Sequence, residues 1–111
     1  MGLTTGADAQ NASIRFENVS AQLGTLHKHI SDVKEDHLGF VWFASTVGLF
    51  RFDGYELKEY RYELNDSTSL SSWGVHNIAE DQEGRMWVST VYGINLLDRR
   101  TGEFMASLKI L

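Results

Sequence analysis

The chain contains no cysteine and no proline, and it has fewer basic than acidic residues. The absence of cysteine excludes a disulfide scaffold, a cysteine nucleophile and a thiolate metal site, although it leaves the cellular compartment open. A net charge of −5 argues against a nucleic-acid surface, because such a surface needs a basic stripe. Apolar runs are far shorter than the ~18 residues that suggest a membrane span, so the sequence predicts no membrane contact within this chain.

The residues that are present suffice for one folded domain. With 111 residues, 42% of them hydrophobic and 12% aromatic, the chain can bury a core of its own. Residues 1–12 are small and polar without periodicity. We expect them to be a flexible leader or residues left over from recombinant expression. Ala7-Asp8-Ala9 has the small-x-small form of a signal-peptidase site, but the basic and apolar regions that precede such a site are missing. The sequence therefore assigns the fold to residues 13–111.

An internal repeat with a spacing of 45 residues is the strongest signal in the chain, because segment 30–53 returns as 75–98 without a gap. The recurring residues are Glu35 and Glu80, Asp36 and Asp81, Gly39 and Gly84, Trp42 and Trp87, Gly48 and Gly93, and Asp53 and Asp98. Turn and packing residues recur in every unit whereas catalytic residues have no reason to, so we interpret all of these as structural. One such unit cannot bury its own apolar faces and must stack on neighbours, which makes the chain part of a larger array.

Each copy of the repeat predicts four short β-strands joined by tight turns. The run Phe40–Phe43 is apolar on both faces of a strand, which requires cover on both sides. Blades of a β-propeller have that cover, because each blade packs between two others. The predicted fold is therefore all-β, with two four-stranded antiparallel blades at 29–60 and 75–110 and an extra strand at 13–20, the outer strand of a preceding blade. Periodicity alone also permits a small sandwich.

Residues that do not recur are the candidates for ligand contact. His27, His29, Trp73 and His76 lie where the chain enters the first strand of each copy, which places them on one rim of a propeller. Tryptophan can stack on a sugar ring and histidine can hydrogen-bond to it, but Trp73 could equally pack between blades. His27 and His29 have no third metal ligand nearby, so we predict no metal site and no cofactor.

Two stretches of the chain, VKEDHLGFVWFASTVGLFRFDGYELKEY and IAEDQEGRMWVSTVYGINLLDRRTGEF, resemble the two-component regulator propeller repeat. The linker LNDSTSLSSWGVHNI fits the same pattern, and the resemblance extends over residues 14–108. It implies the periplasmic sensor region of a bacterial membrane receptor, upstream of a histidine kinase or a diguanylate cyclase, with carbohydrates as the best-known ligands. The family usually has Gly-Thr after the tryptophan strand, where this sequence has Ala44-Ser45 and Ser89-Thr90, and it usually has more than two repeats.

The leading hypothesis is a non-enzymatic, ligand-sensing propeller fragment of a signalling receptor, with a small molecule or an oligosaccharide as its ligand. In a monomer we expect partly uncovered blade faces at Trp42, Phe43, Trp87 and Val88. Neighbouring blades of a parent receptor would cover these faces, or else about three or four copies would associate into a closed ring.

Two alternatives remain at the level of sequence. A fragment of a propeller lyase or glycosidase would need carboxylates that do not recur and that face the channel, and the candidates are Glu63 and Asp66. A scaffold would bind a protein partner through an exposed rim or blade edge. We predict no catalytic residue.

Overall fold

The computed structural model describes Gly24 and residues 29–109. The leader 1–12, the predicted strand at 13–20 and His27 lie outside these residues. The strands are β1 (Ile30–Glu35), β2 (Val41–Ser45), β3 (Gly48–Phe52), β4 (Leu57–Tyr60), β5 (Val75–Glu80), β6 (Met86–Thr90), β7 (Gly93–Asp98) and β8 (Glu103–Lys109).

The strands form two four-stranded antiparallel sheets in the orders β1-β2-β3-β4 and β5-β6-β7-β8. Each sheet is one copy of the repeat, which confirms the predicted all-β fold. Both first strands carry an irregularity in register at the same place, between Ile30 and Asp32 and between Val75 and Asn77. Within the described ranges, no helix is long and apolar enough to cross a membrane.

Glycine closes the turn between the second and third strands of each sheet. Gly48 has a φ of 145° and Gly93 a φ of 148°, a region that residues with a side chain rarely adopt. A Cβ on Gly48 would lie 2.7 Å from the carbonyl oxygen of Tyr60 in the adjacent β4. The hydroxyl group of Ser45 donates to the carbonyl of Gly48 at 3.0 Å, and Thr90 does the same to Gly93 at 3.1 Å. The recurrence of this glycine therefore has a steric cause.

Contact between the two sheets is most extensive at their first strands, where β5 packs against β1 and β2. The Ser31 hydroxyl donates to the carbonyl of Val75 at 2.6 Å. The backbone N–H of Ile78 donates to the carboxylate of Asp32 at 2.9 Å. This arrangement is that of neighbouring propeller blades, whose first strands lie around a central channel.

An aromatic cluster lies between the two sheets, with Trp42 at its centre and only 1% exposed. The Tyr60 ring stacks on Trp42 at 5.7 Å between centroids, and Phe104 of the second sheet meets Tyr60 edge-on at 5.8 Å. The same core also contains Ala44, Leu49, Leu70, Val75, Ile78, Met86, Val88 and Leu97. Each large apolar side chain buried here contributes about 1.5–3 kcal/mol, so this core holds the sheets together.

The expectation of uncovered blade faces is wrong for three of its four residues. Trp42, Phe43 and Val88 are buried, and Trp87 is half-buried. Trp42 and Val88 are covered because the faces that carry them pack against each other. Phe43 belongs to a second cluster of buried phenylalanines on the opposite face of the first sheet.

Candidate functional site

The chain turns at two rims of the pair of sheets, and the rims differ in chemistry. One rim contains the connection 61–74 between the sheets and the turns at 46–47 and 91–92; we call it the connection rim. The other contains the turns at 36–40, 53–56, 81–85 and 99–102, each of which begins with an aspartate or directly follows one; we call it the aspartate rim. The sequence places its candidate ligand residues on the connection rim.

The connection 61–74 is held in place by its own side chains. Asp66 accepts hydrogen bonds from the backbone N–H of Thr68 at 2.9 Å and from its hydroxyl group at 2.6 Å. The side-chain bond from Thr68 is the main reason that the pKa of Asp66 is lowered. The Ser71 backbone N–H donates to Asn95 at 2.9 Å, and its hydroxyl group lies 2.8 Å from that of Thr90. The second sheet thus fixes the conformation of the connection.

Glu63 and Asp66, the two carboxylates considered for catalysis, lie on the outer side of the sheets. They line a groove of about 310 Å³ together with residues of β4 and β8, the outer strands. This groove is remote in the topology from β1 and β5, which lie at the inner side. Asp66 acts as a turn residue there, because its carboxylate bonds to Thr68.

Trp73 is the second-last residue of the connection and is 51% exposed. The Tyr62 ring meets it edge-to-face, with centroids 5.7 Å apart and planes at 65°. The next residue, Gly74, accepts a hydrogen bond from the N–H of Val91 at 3.4 Å, which brings the β6–β7 turn beside Trp73. Val91 and Tyr92 are exposed in that turn. We call Tyr62, Trp73, Val91 and Tyr92 the rim patch.

The histidines predicted beside Trp73 are placed less closely. His29 is exposed directly before β1, and His76 is exposed on β5. Within the part of the chain that the structure describes, no hydrogen bond or ring contact joins Trp73 to either histidine. The residues that the structure describes also contain no group of histidine and carboxylate side chains that could hold a metal ion.

Three members of the rim patch were missed from the sequence: Tyr62, Val91 and Tyr92. A signal for two of them was present, because Val91 and Tyr92 stand where the first copy has Thr46 and Val47. An exposed aromatic residue that appears in one copy of a turn and not in the other is a departure from the repeat. Tyr62 has no such signal, since it belongs to the connection and has no counterpart.

On the aspartate rim, the recurring aspartate closes the turn and holds the tryptophan. Asp36 accepts the N–H groups of Leu38 and Phe40 at 2.9 Å each, and its other oxygen accepts the Trp42 indole N–H at 2.8 Å. In the second copy, Asp81 accepts the Trp87 indole N–H at 2.9 Å.

Three further donors reach Asp81 in the second copy. They are the backbone N–H groups of Glu83 at 2.9 Å and Arg85 at 2.8 Å, and the side chain of Arg85 at 2.7 Å. The indole bond from Trp87 is the main cause of the strongly lowered pKa of Asp81. The recurrence of Asp-x-x-Gly-x-x-Trp therefore has a hydrogen-bonding cause.

A polar cluster on the aspartate rim joins the two sheets. The Arg99 guanidinium donates to the Asp36 carboxylate, to Glu80 at 2.9 Å and to the carbonyl of Gly84 at 2.9 Å. Glu80 also accepts the backbone N–H of His37 at 2.9 Å and contacts its ring. The bond to the His37 side chain is the main cause of the lowered pKa of Glu80. These groups are engaged with one another, so the cluster is an inter-sheet contact.

Comparisons with known proteins agree with the resemblance seen in the sequence. Residues 69–92 match the family described as the two component regulator propeller. A histidine kinase, P4 from Formosa agariphila, is 34% identical over 69 residues, which cover 62% of this chain and 5% of that protein.

Among solved structures, the extracellular domain of BT4673 from B. thetaiotaomicron, described as a one-component system, is similar with a TM-score of 0.61 and 29% identity. The match covers 70% of this chain and 11% of that domain's chain. The chain thus spans a small part of each of these relatives.

Proposed function

Because this chain belongs to the two-component regulator propeller family, we propose that it is a ligand-sensing, non-enzymatic part of the sensor region of a bacterial signalling receptor. The structural neighbour is an extracellular domain and the related protein is named as a histidine kinase. Accordingly, we propose that this sensor region lies in the periplasm and that the signalling output of the parent receptor lies elsewhere in that receptor.

The observation that carries the proposal is the rim patch. Trp73 and Tyr62 form an aromatic pair at the rim of two sheets, and half of the Trp73 side chain is accessible. Large apolar side chains on a soluble surface are costly to leave in water and commonly mark binding surfaces. Aromatic rings also offer a face to the apolar side of a sugar ring, which supports an oligosaccharide as the ligand.

The fixed conformation of the connection 61–74 supports the same proposal. The hydrogen bonds that join Ser71 with Asn95 and with Thr90 hold the segment that leads to Trp73. A binding surface that is already held in place loses less conformational entropy when a ligand arrives. His76 is an exposed polar residue near the start of β5, three residues after Trp73 in the chain.

Two features support a non-enzymatic role over a propeller lyase or glycosidase. The carboxylates considered for catalysis, Glu63 and Asp66, line a groove beside the outer strands rather than the inner ones. The recurring carboxylates Asp36 and Asp81 are engaged with indole and backbone N–H groups. General acid–base catalysis needs a carboxyl group that is free to reach a substrate, whereas the carboxylates of Asp36 and Asp81 are bound to their own turns.

The direct test is binding of the purified chain to an array of oligosaccharides, followed by titration of a binder while the Trp73 indole signal is observed by NMR. We expect the Trp73 signal to shift and that of the buried Trp42 to stay in place. Replacement Trp73→Ala should abolish binding while the chain stays folded. Tyr55→Ala is the matched control, because Tyr55 is an 87% exposed aromatic residue on the aspartate rim.

Two results would contradict this proposal. If no oligosaccharide binds, the carbohydrate ligand is wrong. If binding survives Trp73→Ala, or if Tyr55→Ala removes it equally, then the rim patch is not the ligand surface.

A further inference from the structure

At the interface between the two sheets, an arginine of the second sheet binds a carboxylate of the first sheet. Arg99 donates to the oxygen of Asp36 that also accepts the Trp42 indole N–H. The centre of its guanidinium lies 5.7 Å from the centroid of the Trp42 ring. Arg99 lies in the β7–β8 turn, so this cation reaches Asp36 from the neighbouring sheet.

The second copy has the same arrangement, but its arginine comes from its own turn. Arg85 donates at 2.7 Å to the oxygen of Asp81 that accepts the Trp87 indole N–H. The centre of its guanidinium also lies 5.7 Å from the ring of its tryptophan. Arg85 therefore takes the place, relative to Asp81 and Trp87, that Arg99 takes in the first copy. The first copy has Phe40 at the position of Arg85, so it has no such cation of its own.

The face of the second sheet beside Arg85 is apolar and accessible. Trp87 is opposite Leu96 in the register, and Leu96 is opposite Met105, so these three side chains share one face. Met105 is 65% exposed, and Arg85, Leu96 and Met105 are among the residues that line a groove of about 640 Å³. The equivalent face of the first sheet, which carries Trp42, is covered by the second sheet.

We propose that Arg85 determines which further sheet of the same repeat can cover this face, and that it selects one with a glutamate at the end of its first strand and no arginine after its third strand. The inference rests on the propeller assignment made under the proposed function. The occupant continues the interface already present between the two sheets, since the same repeat offers the same tryptophan face.

The charges give the selection its basis. An arginine equivalent to Arg99 in the further sheet would bring a second guanidinium to Asp81, where Arg85 already lies, and like charges repel. In a sheet that lacks this arginine, a glutamate at the position of Glu80 would have no arginine partner from its own sheet. It would pair with Arg85 instead. The first repeat of this chain has that chemistry, with Glu35 and Gly54 at the two positions.

A further repeat fits this surface better than the first sheet of a second copy of the chain. The face of the first sheet that would have to cover Trp87 carries Phe43, Phe50 and Phe52, and these side chains are already buried within one chain. We therefore assign the surface to a separate repeat.

The test uses the full chain extended by a second copy of residues 61–109, which reproduces the connection and the sheet that follows it. The added copy carries Met105→Leu, so that the original Met105 is the residue observed. Hydroxyl-radical footprinting then measures oxidation of Met105, with Tyr55 as the exposed reference and Trp42 as the check on folding. Four extended chains combine Arg85 or Arg85→Ala in the original copy with Arg99 or Arg99→Ala in the added copy.

We expect a several-fold loss of Met105 oxidation, relative to the unextended chain, when one of the two arginines is removed. Met105 should be oxidised more in the chain that has both arginines and in the chain that has neither. Met105 oxidation equal to that of the unextended chain in all four would show that the face binds no sheet. Equal protection in all four would show that Arg85 does not select, and oxidation of Trp42 in the chain with the added Arg99→Ala would also overturn the proposal. The oligosaccharide test is read at Trp73 on the other rim, so either proposal can fail alone.

Discussion

Arg99 of the second sheet donates to the buried carboxylate of Asp36 in the first sheet. The Asp36 side chain is fully buried, and the turn around it supplies backbone and indole donors but no cation. A buried carboxylate without a counterion is costly, so the first repeat depends on the second for a complete hydrogen-bond set. The two repeats are therefore joined at the rim by charge as well as between the sheets by apolar packing.

The first prediction concerns this ion pair. Arg99→Ala should lower the free energy of unfolding by about 3 kcal/mol, because it leaves a buried carboxylate unpaired. Its neighbour Arg100 is the matched control, since its side chain is 85% exposed and lies 3.7 Å from Asp98. Arg100→Ala should cost less than about 0.5 kcal/mol. Urea unfolding checks both variants, and equal losses would contradict the role of Arg99.

The second prediction compares the two recurring tryptophans. Trp42→Ala should cost about 3–5 kcal/mol, because it leaves a large cavity in the core between the sheets. Trp87→Ala should cost clearly less, because Trp87 is half-buried and its face carries no neighbouring sheet among the described residues. Thermal unfolding of both variants measures the difference. A loss as large for Trp87 as for Trp42 would show that the two positions are equally covered.

A third prediction follows from the turn glycines. Gly48→Ala should destabilise the chain by at least about 1 kcal/mol, because its φ of 145° and the Tyr60 carbonyl both exclude a Cβ. Gly74→Ala is the control: the nearest atom to a Cβ there is the Val91 side chain at 3.3 Å, which can rotate away. Chemical denaturation should show the larger loss for Gly48. The opposite order would contradict the steric argument.

Acid should weaken the fold through its hydrogen-bonded carboxylates. The pKa of Glu80 is lowered from 4.5 by the His37 hydrogen bond, and the pKa of Asp81 is lowered from 3.8, mainly by the Trp87 indole. A lowered pKa stabilises the folded state above the unfolded value, and that stabilisation is lost as the pH falls towards the folded value. The free energy of unfolding should therefore be steady above about pH 5 and decline below about pH 4.

Asp81→Asn checks the source of that decline. The variant should be less stable than the original chain at neutral pH and should lose less on acidification, since one of the titrating groups is gone. Urea unfolding between neutral and acid pH gives both quantities. A free energy of unfolding that rises on acidification would contradict the assignment.

The repeat made most of the fold predictable. Two copies with the same turn and strand pattern predict two sheets of four strands, and the structure contains them. The burial of Phe43 could not be predicted, because it depends on how one face of the first sheet is covered. The role of Asp36 was seen only as a turn residue, because its partner Arg99 does not recur: the first copy has Gly54 at that position.

The position of Trp73 at a rim was predictable from the sequence, whereas the path of the segment beside it was not, and ligand contact at this site stays a prediction. Trp73 could be chosen because it departs from the repeat, and its exposure at a rim fits that choice. Its contact with Tyr62 joins the two ends of the connection 61–74, and no periodic pattern encodes the path of such a segment. Its path is set by hydrogen bonds such as that of Ser71 with Asn95, which depend on the packed sheet.

The central claim is that the two repeats stack as neighbouring propeller blades, and proton–proton nuclear Overhauser effects between Tyr60 and Phe104 test it most directly. These rings belong to different sheets and meet edge-on, with their centroids 5.8 Å apart. The account predicts strong cross-peaks between them in the isolated chain in solution, together with cross-peaks from Tyr60 to Trp42. Cross-peaks from Tyr60 to Trp42 without any to Phe104 would show that each sheet folds but the two do not stack, which would contradict the account.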